Sequence, residues 1–537
     1  MPYELPMRVR DGEQSTMEDA VPVDAVGRRI VCDEERATVR YVGTVTATKG
    51  MWLGVEWDNP ERGKHDGSHQ GVGYFTCRHP TGGSFVRPKK ASFGVDYLTA
   101  LRLRYEKERE GEEITISSRT LEMVGFQKLT KEQRVENLKE VALRHCEIWG
   151  TASGTEIRKT TPDVELLDLS QNLLSSWEAL AAITEQLKEL RTLQLGYNRL
   201  TVPSDSSTLT HAFPNLRVLA LAGCAITWPE VLQCACMWPR VEELYLSENN
   251  ITELQRPVDV LQSLTHLDLS NNSITSETLT EIGHLPRLVT LNLTNTGLTV
   301  IEFNDVPPGS KTAMFPALQK LSLMDNKIAE WRVVNELEKL ASLVHLILQR
   351  NPVMDGERNP QTARQLVIAR VGQLLQLTGS EIHSTDRRGA ELDYIKTFGM
   401  QWLASGGHWE PEKNHPSADF TTQHPRYLTL IQKYGAPEES ELKPEIPFAL
   451  KNQLLTLTFV CPDDMDRKPI QKKLPCSMVV QKVKGLLHRL LKLPGAELRL
   501  SYTCSRMEGI EIEIDNDLKT MQFYSVEDGD SVLVRWS

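Results

Sequence analysis

Several features are scarce or missing in this chain of 537 residues, and each absence removes a class of function. No apolar run approaches the roughly 20 residues that cross a bilayer, the most apolar stretch lying around Val218 to Trp228, so no membrane span is expected. The first twenty residues carry Glu4, Arg8, Arg10, Asp11, Glu13, Glu18 and Asp19 in place of the apolar core of a secretory signal, and a cytoplasmic location is expected. The nine cysteines show no paired CxxC spacing, and Cys234 and Cys236, one residue apart, have no His or Cys pair nearby. Reduced thiols and no bound metal are the plain reading. Phosphate-binding P-loop, His-Glu-x-x-His and Gly-x-Ser-x-Gly motifs are all missing, so neither an enzyme nor a cofactor is expected. No heptad run supports a dimerising coiled coil, which leaves a monomer. An overall basic excess is missing as well: the formal charge is −11, against the positive footprint that a nucleic-acid binder needs.

What is present suffices for about three or four packed units at this length. The hydrophobic share of 40% and charged share of 25% are those of folded globular chains. Charge is unevenly spread. Between Gly27 and Lys90 stand eleven Lys/Arg and seven Asp/Glu, so this stretch carries +4 and the remainder −15. A basic module on an acidic chain points to an acidic ligand. The same stretch is rich in β-branched, aromatic and glycine residues, as in Arg29-Ile30-Val31-Cys32, Ala37-Thr38-Val39-Arg40-Tyr41 and Trp52-Leu53-Gly54-Val55-Glu56-Trp57. Short strands with glycine turns predict a small open β-barrel. Its interior cannot hold Trp52, Trp57, Tyr74, Phe75 and Phe85 together, and those left outside would form an apolar groove.

Gly63-Lys64-His65-Asp66-Gly67, followed by Gly71, Tyr74-Phe75-Thr76-Cys77 and Gly83-Ser84-Phe85-Val86-Arg87, resembles the cytoskeleton-associated-protein glycine-rich (CAP-Gly) family over the whole module. The resemblance implies a groove for acidic, aromatic-ended C-terminal tails such as that of α-tubulin. By motif position, Trp52 and Phe85, with Phe75, would line the slot, and Lys64 and Arg87 would face carboxylates. Gly63 and Gly67 would let backbone approach the ligand, and His65 and Asp66 complete the motif. His65 stands where the family usually has Asn. A protonated imidazole would add a charge-assisted bond, so tail binding is expected to strengthen as pH falls toward about 6.5.

Beyond a charged segment that includes Arg102 to Glu113, read as a solvated face, a period appears. Units such as Leu167-Asp168-Leu169-Ser170-Gln171-Asn172 and Leu193-Gln194-Leu195-Gly196-Tyr197-Asn198 recur eight times, with equivalent leucines at 169, 195, 221, 246, 269, 293, 323 and 348. This is a leucine-rich repeat solenoid, with a loop insertion expected in the long step from 293 to 323. The leucines should point inward and the asparagines satisfy turn backbone. The residue between each leucine pair should be exposed on the concave face: Asp168, Gln194, Ala220, Tyr245, Asp268, Asn292, Ser322 and Ile347. Gln194, Tyr245, Asp268 and Asn292 are the contact candidates there. The row is too weakly charged for nucleic acid, and a folded protein surface is its expected ligand. Gln361 to Phe398 resembles the helical cap of such arrays.

From Asn452 a strand, a second strand before Pro475, a helix with the stripe Val480, Val483, Leu487 and Leu490, and strands at Leu498–Tyr502 and Ser531–Trp536 resemble the ubiquitin-like β-grasp. The ending Arg535-Trp536-Ser537 lacks the Gly-Gly of a conjugated tag, so a docking module is expected. The fold class is thus multidomain α+β: a small β-barrel CAP-Gly domain, a leucine-rich repeat solenoid and a ubiquitin-like β-grasp domain. The expected boundaries are a tail at 1–25, CAP-Gly at 26–92, linker and N-terminal cap at 93–160, array with C-terminal cap at 161–400, linker at 401–450 with a helix through Tyr427 to Tyr434, and the ubiquitin-like domain at 451–537.

Three modules in this order resemble the tubulin-folding cofactor family. That resemblance implies α-tubulin as partner, together with other folding cofactors, including the one that carries β-tubulin, in assembly and dissociation of the heterodimer. It also implies proteasome or chaperone machinery at the ubiquitin-like end and a cytoskeleton-associated location. The rival is a CAP-Gly adaptor of microtubule ends, which would use the same groove on polymer.

Overall fold

The structure is a computed structural model that describes residues 21–105, 135–152, 156–356, 360–437, 442, 454–464, 466–493, 497–503 and 511–536. Most of the expected N-terminal tail, the 106–113 part of the charged segment, residues 438–441 and 443–450 of the second linker, residues 451–453 at the start of the ubiquitin-like domain, and Ser537 lie outside them. The chain divides into two compact units, residues 1–251 with 258–264, and residues 252–257 with 265–537. No helix among the described residues is long and apolar enough to cross a membrane.

The first unit begins with the barrel. Strands β1 (Arg29–Cys32), β2 (Glu35–Thr44), β3 (Met51–Trp57) and β6 (Gly83–Val86) form one antiparallel sheet in the order β1-β2-β3-β6, and a short hairpin, β4 (Ser68–His69) and β5 (Val72–Gly73), lies between β3 and β6 in sequence. Alternation buries Ile30, Cys32, Ala37, Val39, Leu53, Val55 and Trp57 as its core. Trp57 is therefore an interior residue, and the other large aromatics are left to the surface, as the small interior requires.

Barrel and repeats are joined by paired backbone. Strand β7 (Val95–Asp96) runs parallel to β9 (Ile148–Gly150), and Ser92 Oγ donates to Glu147 Oε2 at 2.6 Å. Arg36 Nη2 donates to the Gln171 carbonyl at 2.8 Å, and the Arg28 guanidinium lies 4.7 Å over the Trp149 ring. The repeats of this unit contribute parallel strands β8 (Glu140–Ala142), β10 (Leu166–Asp168), β11 (Thr192–Gln194), β12 (Val218–Ala220) and β13 (Glu243–Tyr245), paired in chain order and in register, so that Leu167, Leu193, Leu219 and Leu244 stack fully buried.

The asparagine ladder explains why the turns repeat. Asn198 is fully buried and its Nδ2 donates to the carbonyls of Leu169 (2.9 Å) and Leu195 (2.8 Å), while its Oδ1 accepts from the Asn172 N–H (3.2 Å). Backbone groups of two successive turns, which water cannot reach, are satisfied by one side chain. In the third unit Cys224 takes this place, its Sγ reaching Leu195 O at 3.3 Å and Ala222 O at 3.7 Å.

The second unit continues the motif with β14 (His266–Asp268), β15 (Thr290–Asn292), β16 (Lys320–Ser322), β17 (His345–Ile347) and β18 (Gln376–Leu377), parallel in order, and β19 (Ser380–Glu381) closing antiparallel. Here Asn326 and Asn351 repeat the ladder, and Thr296 Oγ1 replaces one rung by donating to Leu293 O at 2.8 Å. The inserted residues between the sixth and seventh units form a loop fastened by Thr312 Oγ1 to Asp305 Oδ2 (2.7 Å) and by the buried Lys339 Nζ to the carbonyls of Phe303 (2.8 Å) and Val306 (3.2 Å).

The helices Pro360–Arg370 and Ser384–Ala404 follow the last repeats. The stretch after Ser405, expected as a linker, is packed structure as far as residue 437. It holds the expected helix Tyr427–Tyr434 and a further one at Ala418–Gln423, with Phe420, Tyr427 and Leu430 buried. The reason is ionic as well as apolar. Glu391, fully buried on the long helix, accepts from Arg426 (2.8 Å), Lys433 (2.9 Å) and the Tyr434 hydroxyl (2.8 Å). Burial raises its pKa, but these donors outweigh it and hold the carboxyl below its usual range.

The last module has strand order β21-β20-β24-β22-β23, comprising β20 (Leu454–Val460), β21 (Ile470–Pro475), β22 (Leu498–Thr503), β23 (Glu511–Ile514) and β24 (Ser531–Trp536). The first and last strands are parallel neighbours and all other pairs antiparallel, the β-grasp arrangement of a ubiquitin-like domain. Its helix Val480–Leu491 buries Val480, Val483, Leu487 and Leu491. The expected fourth member, Leu490, is only half-buried, because a step of four from Leu487 keeps the stripe on the sheet. A Lys396–Glu527 ion pair and Ser525 Oγ donating to Gly389 O at 3.3 Å tie this module to the long helix.

Candidate peptide groove and repeat face

The groove is built by one row across three strands. Tyr41 of β2 pairs with Gly54 of β3, and Gly54 pairs with Phe85 of β6. The missing side chain at Gly54 leaves a space that Phe75 fills, since a Cβ there would stand 2.4 Å from Phe75 Cε1. Phe85 is the hub of the resulting cluster. Its ring centroid lies 5.0 Å from His65, 5.4 Å from Tyr74, 5.6 Å from Phe75, 6.2 Å from His69 and 6.4 Å from Tyr41. Most of these pairs meet edge to face, the arrangement favoured by ring quadrupoles. All six rings remain partly exposed, so the cluster is an apolar surface and not interior.

Trp52, expected beside Phe85, is grouped with Arg87 instead. The guanidinium lies 3.7 Å over the indole and also donates to Met51 O at 3.1 Å, while the indole N–H donates to Thr48 Oγ1 at 2.8 Å. Arg87 is thus held flat as a preformed cationic edge. Lys64 is exposed, and its backbone N–H donates to Gly83 O at 2.7 Å.

The motif glycines act within the chain. A Cβ on Gly63 would stand 1.9 Å from Thr81 O, and one on Gly67, whose φ is +107°, would stand 2.0 Å from Phe75 O. Their close approach is to the protein's own loops, not to open groove, which corrects the expectation that they admit the ligand. Asp66 likewise faces its own turn, accepting from Ser68 N–H (3.0 Å) and Ser68 Oγ (2.6 Å), bonds that lower its pKa.

His65 differs from its expected behaviour for a physical reason. Its Nδ1 accepts the Gly67 N–H at 3.0 Å, and burial lowers its pKa below the ordinary 6.5. Both effects favour the neutral ring, with its proton on Nε2. Protonation would set N–H against N–H, so strengthening of binding toward pH 6.5 no longer follows.

On the repeat face, the residues flanking each buried leucine share one side of the sheet. In the first unit Gln194 is half-buried, and the Tyr245 hydroxyl donates to Glu243 Oε2 at 2.7 Å. In the second, Asp268 Oδ2 accepts from Asn292 Nδ2 at 3.1 Å, and Asn292 Oδ1 accepts from Thr294 Oγ1 at 2.7 Å. These four are positioned polar groups, two of which spend part of their capacity on one another.

The CAP-Gly domain model matches residues 26–91, and a leucine rich repeat model matches residues 239–298. Tubulin-specific chaperone E of Danio rerio is 66% identical over 517 residues, 96% of this chain and 99% of that protein. Tubulin-specific chaperone E of Xenopus laevis is 55% identical over 96% of this chain and 99% of its own. The chain belongs to the tubulin-specific chaperone E family. A solved structure of the C-terminal ubiquitin-like domain of mouse tubulin-specific chaperone E is 61% identical to it, covering 16% of this chain and 88% of that one with a TM-score of 0.15.

Within the tubulin-specific chaperone E family frame, the groove residues that sequence reasoning missed are Tyr41, His69 and Tyr74. Tyr74 was among the aromatics that the small interior could not hold, and its hydroxyl meets Thr46 N at 2.8 Å. Tyr41 is turned outward by a β-bulge between Val39 and Tyr41, where strict alternation would have put it in the core. On the repeat face the missed positions are those preceding each buried leucine, such as Thr192 and Glu243, which the period of two makes neighbours of Gln194 and Tyr245.

Proposed function

We propose that this chain is a tubulin-folding cofactor that captures α-tubulin, with the tail in the CAP-Gly groove and the folded body on the leucine-rich repeats. With other cofactors, including the one carrying β-tubulin, it acts in assembly and dissociation of the heterodimer. The observation that carries this reading is the Phe85 cluster: six partly exposed rings beside the cations Lys64 and Arg87, matched to an aromatic residue at the end of an acidic tail. The names borne by the full-length relatives support the same class.

A groove that grips a short tail reaches roughly micromolar affinity, about −8 kcal/mol. A second contact on the same chain raises avidity by roughly 10² to 10⁴ without improving either site. The β7–β9 pairing and the Arg36 bond support such coupling, because they fix the groove to the first repeats of its own unit. One contact would then recognise the tail and the other test the fold. The ubiquitin-like domain would dock proteasome or chaperone machinery, and the protein would work as a monomer in the cytoplasm beside the cytoskeleton, with no chemistry of its own.

Incubating the purified protein with tubulin dimers, with and without cytosolic extract, and identifying the bound subunit tests the reading. Recovery of α-tubulin in a soluble complex is expected. Sedimentation of the protein with microtubules would instead indicate the end-adaptor function.

A further inference from the structure

The groove opens toward a second basic site. From Phe75 the chain runs through Thr76 and Cys77 to Arg78, and this strip, with Arg40 and Glu56, lines a cavity of about 500 Å³. Arg40, Glu56 and Arg78 also line a neighbouring cavity of about 480 Å³, whose other walls include Arg29 and Asp58 of the barrel and Arg199 of the repeats. All of these residues belong to the first unit.

The charges in this cleft do not balance. Arg29 is 1% exposed and grips Asp58 through both terminal nitrogens, leaving its Nε buried without a partner. Arg199 reaches the same Asp58 only at 3.9 Å. Arg40 holds Glu56 through two bonds, of 2.7 and 2.9 Å, while the other oxygen of Glu56 accepts the Arg78 backbone N–H at 2.7 Å. The exposed Arg78 side chain has no ion-pair partner among the described residues. Glu230, the third carboxylate of this lining, accepts from the Thr227 N–H at 2.7 Å and the Thr227 hydroxyl at 2.9 Å at its own helix start, so four guanidinium groups stand against three carboxylates and the excess falls on Arg78 and Arg199. Burial lowers the Arg199 pKa, with Arg29 and Arg78 pushing further in the same direction, as like charges crowded together do.

We infer that this cleft is an extension of the groove that takes the acidic residues preceding the aromatic end of a bound tail, with Arg78 and Arg199 as their carboxylate contacts. The inference rests on the proposal that the groove holds an acidic peptide. Reach is adequate: Phe75 and Arg78 are three residues apart and so at most about 10 Å of chain, and six extended residues span about 20 Å, enough to follow the strip into the cleft. Guanidinium groups suit the task because each presents a planar fork to a carboxylate.

The test uses the full-length protein, the tripeptide Glu-Glu-Tyr, and a nonapeptide in which six glutamates precede the same ending, with affinities measured by calorimetry at two salt concentrations. The nonapeptide is expected to bind about tenfold more tightly, consistent with two favourable charge contacts. Arg78→Gln and Arg199→Gln should each remove about threefold of that gain and the double variant nearly all of it, with a shallower salt dependence, while tripeptide affinity and the thermal midpoint stay unchanged. Equal affinities of the two peptides for the unaltered protein, or a gain that survives the double variant, would overturn the extension and leave the groove reading intact. A protein that binds neither peptide would overturn both.

Discussion

The groove and the repeat ladder solve opposite problems with similar residue counts. Around Phe85, six rings of different types meet once, in a place made by a bulge at Val39/Tyr41 and a missing side chain at Gly54. Along the repeats one residue type meets the same need again and again, as Asn172 and Asn198 do in the first unit and Asn326 and Asn351 in the second. Irregularity marks the proposed ligand groove, and regularity marks where the chain holds itself. The departures from the ladder at Cys224 and Thr296 still each meet a turn carbonyl, Leu195 O of the preceding unit for Cys224 and Leu293 O of its own turn for Thr296.

The contrast is broken most severely at the hub. Phe85→Ser should weaken binding of a peptide ending in Glu-Glu-Tyr by more than about 100-fold, the ~3 kcal/mol of a central aromatic anchor. Its effect on the denaturation midpoint should be small, because the ring is partly exposed. Asn198→Ala should do the reverse, costing about 1–3 kcal/mol in chemical denaturation by taking the acceptor from the buried Asn172 N–H and one donor from each of Leu169 O and Leu195 O, with peptide affinity unchanged.

Acid separates the regions further. His424 is 4% exposed, is bonded to the Tyr394 hydroxyl at 2.7 Å, and burial pushes its pKa down to about 3. The unfolded chain then binds a proton that the folded one refuses. The stability associated with His424 is full above pH 6.5 and falls as pH drops from 6.5 toward 3, by about 2 kcal/mol at pH 5. His424→Gln should flatten that slope in denaturation curves collected between pH 7.5 and 5. The smallest effect belongs to His65, whose pKa is also lowered by burial. Barrel stability and tail affinity should hold steady from pH 7.5 to 6.5 and decline only below, and His65→Asn should remove the decline.

The repeats were legible because period and composition coincide: each leucine that the pattern placed inside is inside, down to the register of Leu167, Leu193, Leu219 and Leu244. Of the residues that the glycine motif singled out, Phe75, Phe85 and His65 do come together in one ring cluster. Tyr41 was hidden because a bulge reverses alternation without a signature in composition. The partnership of Arg87 with Trp52, and the self-contact of Gly63 and Gly67, depend on loops whose path the motif alone does not draw. The packed segment after Ser405 was read as linker because its helices are short and its anchor, Glu391, lies 35 residues before Arg426.

A groove that recognises the aromatic end of an acidic tail should lose most of its affinity when that end is removed. Calorimetric titration of the full-length protein with an α-tubulin C-terminal peptide, and with the same peptide lacking its final tyrosine, tests it most directly. The expected result is roughly micromolar binding of the first and at least about tenfold weaker binding of the second. Equal affinities would contradict the account, because the Phe85 cluster would then have no part in recognition.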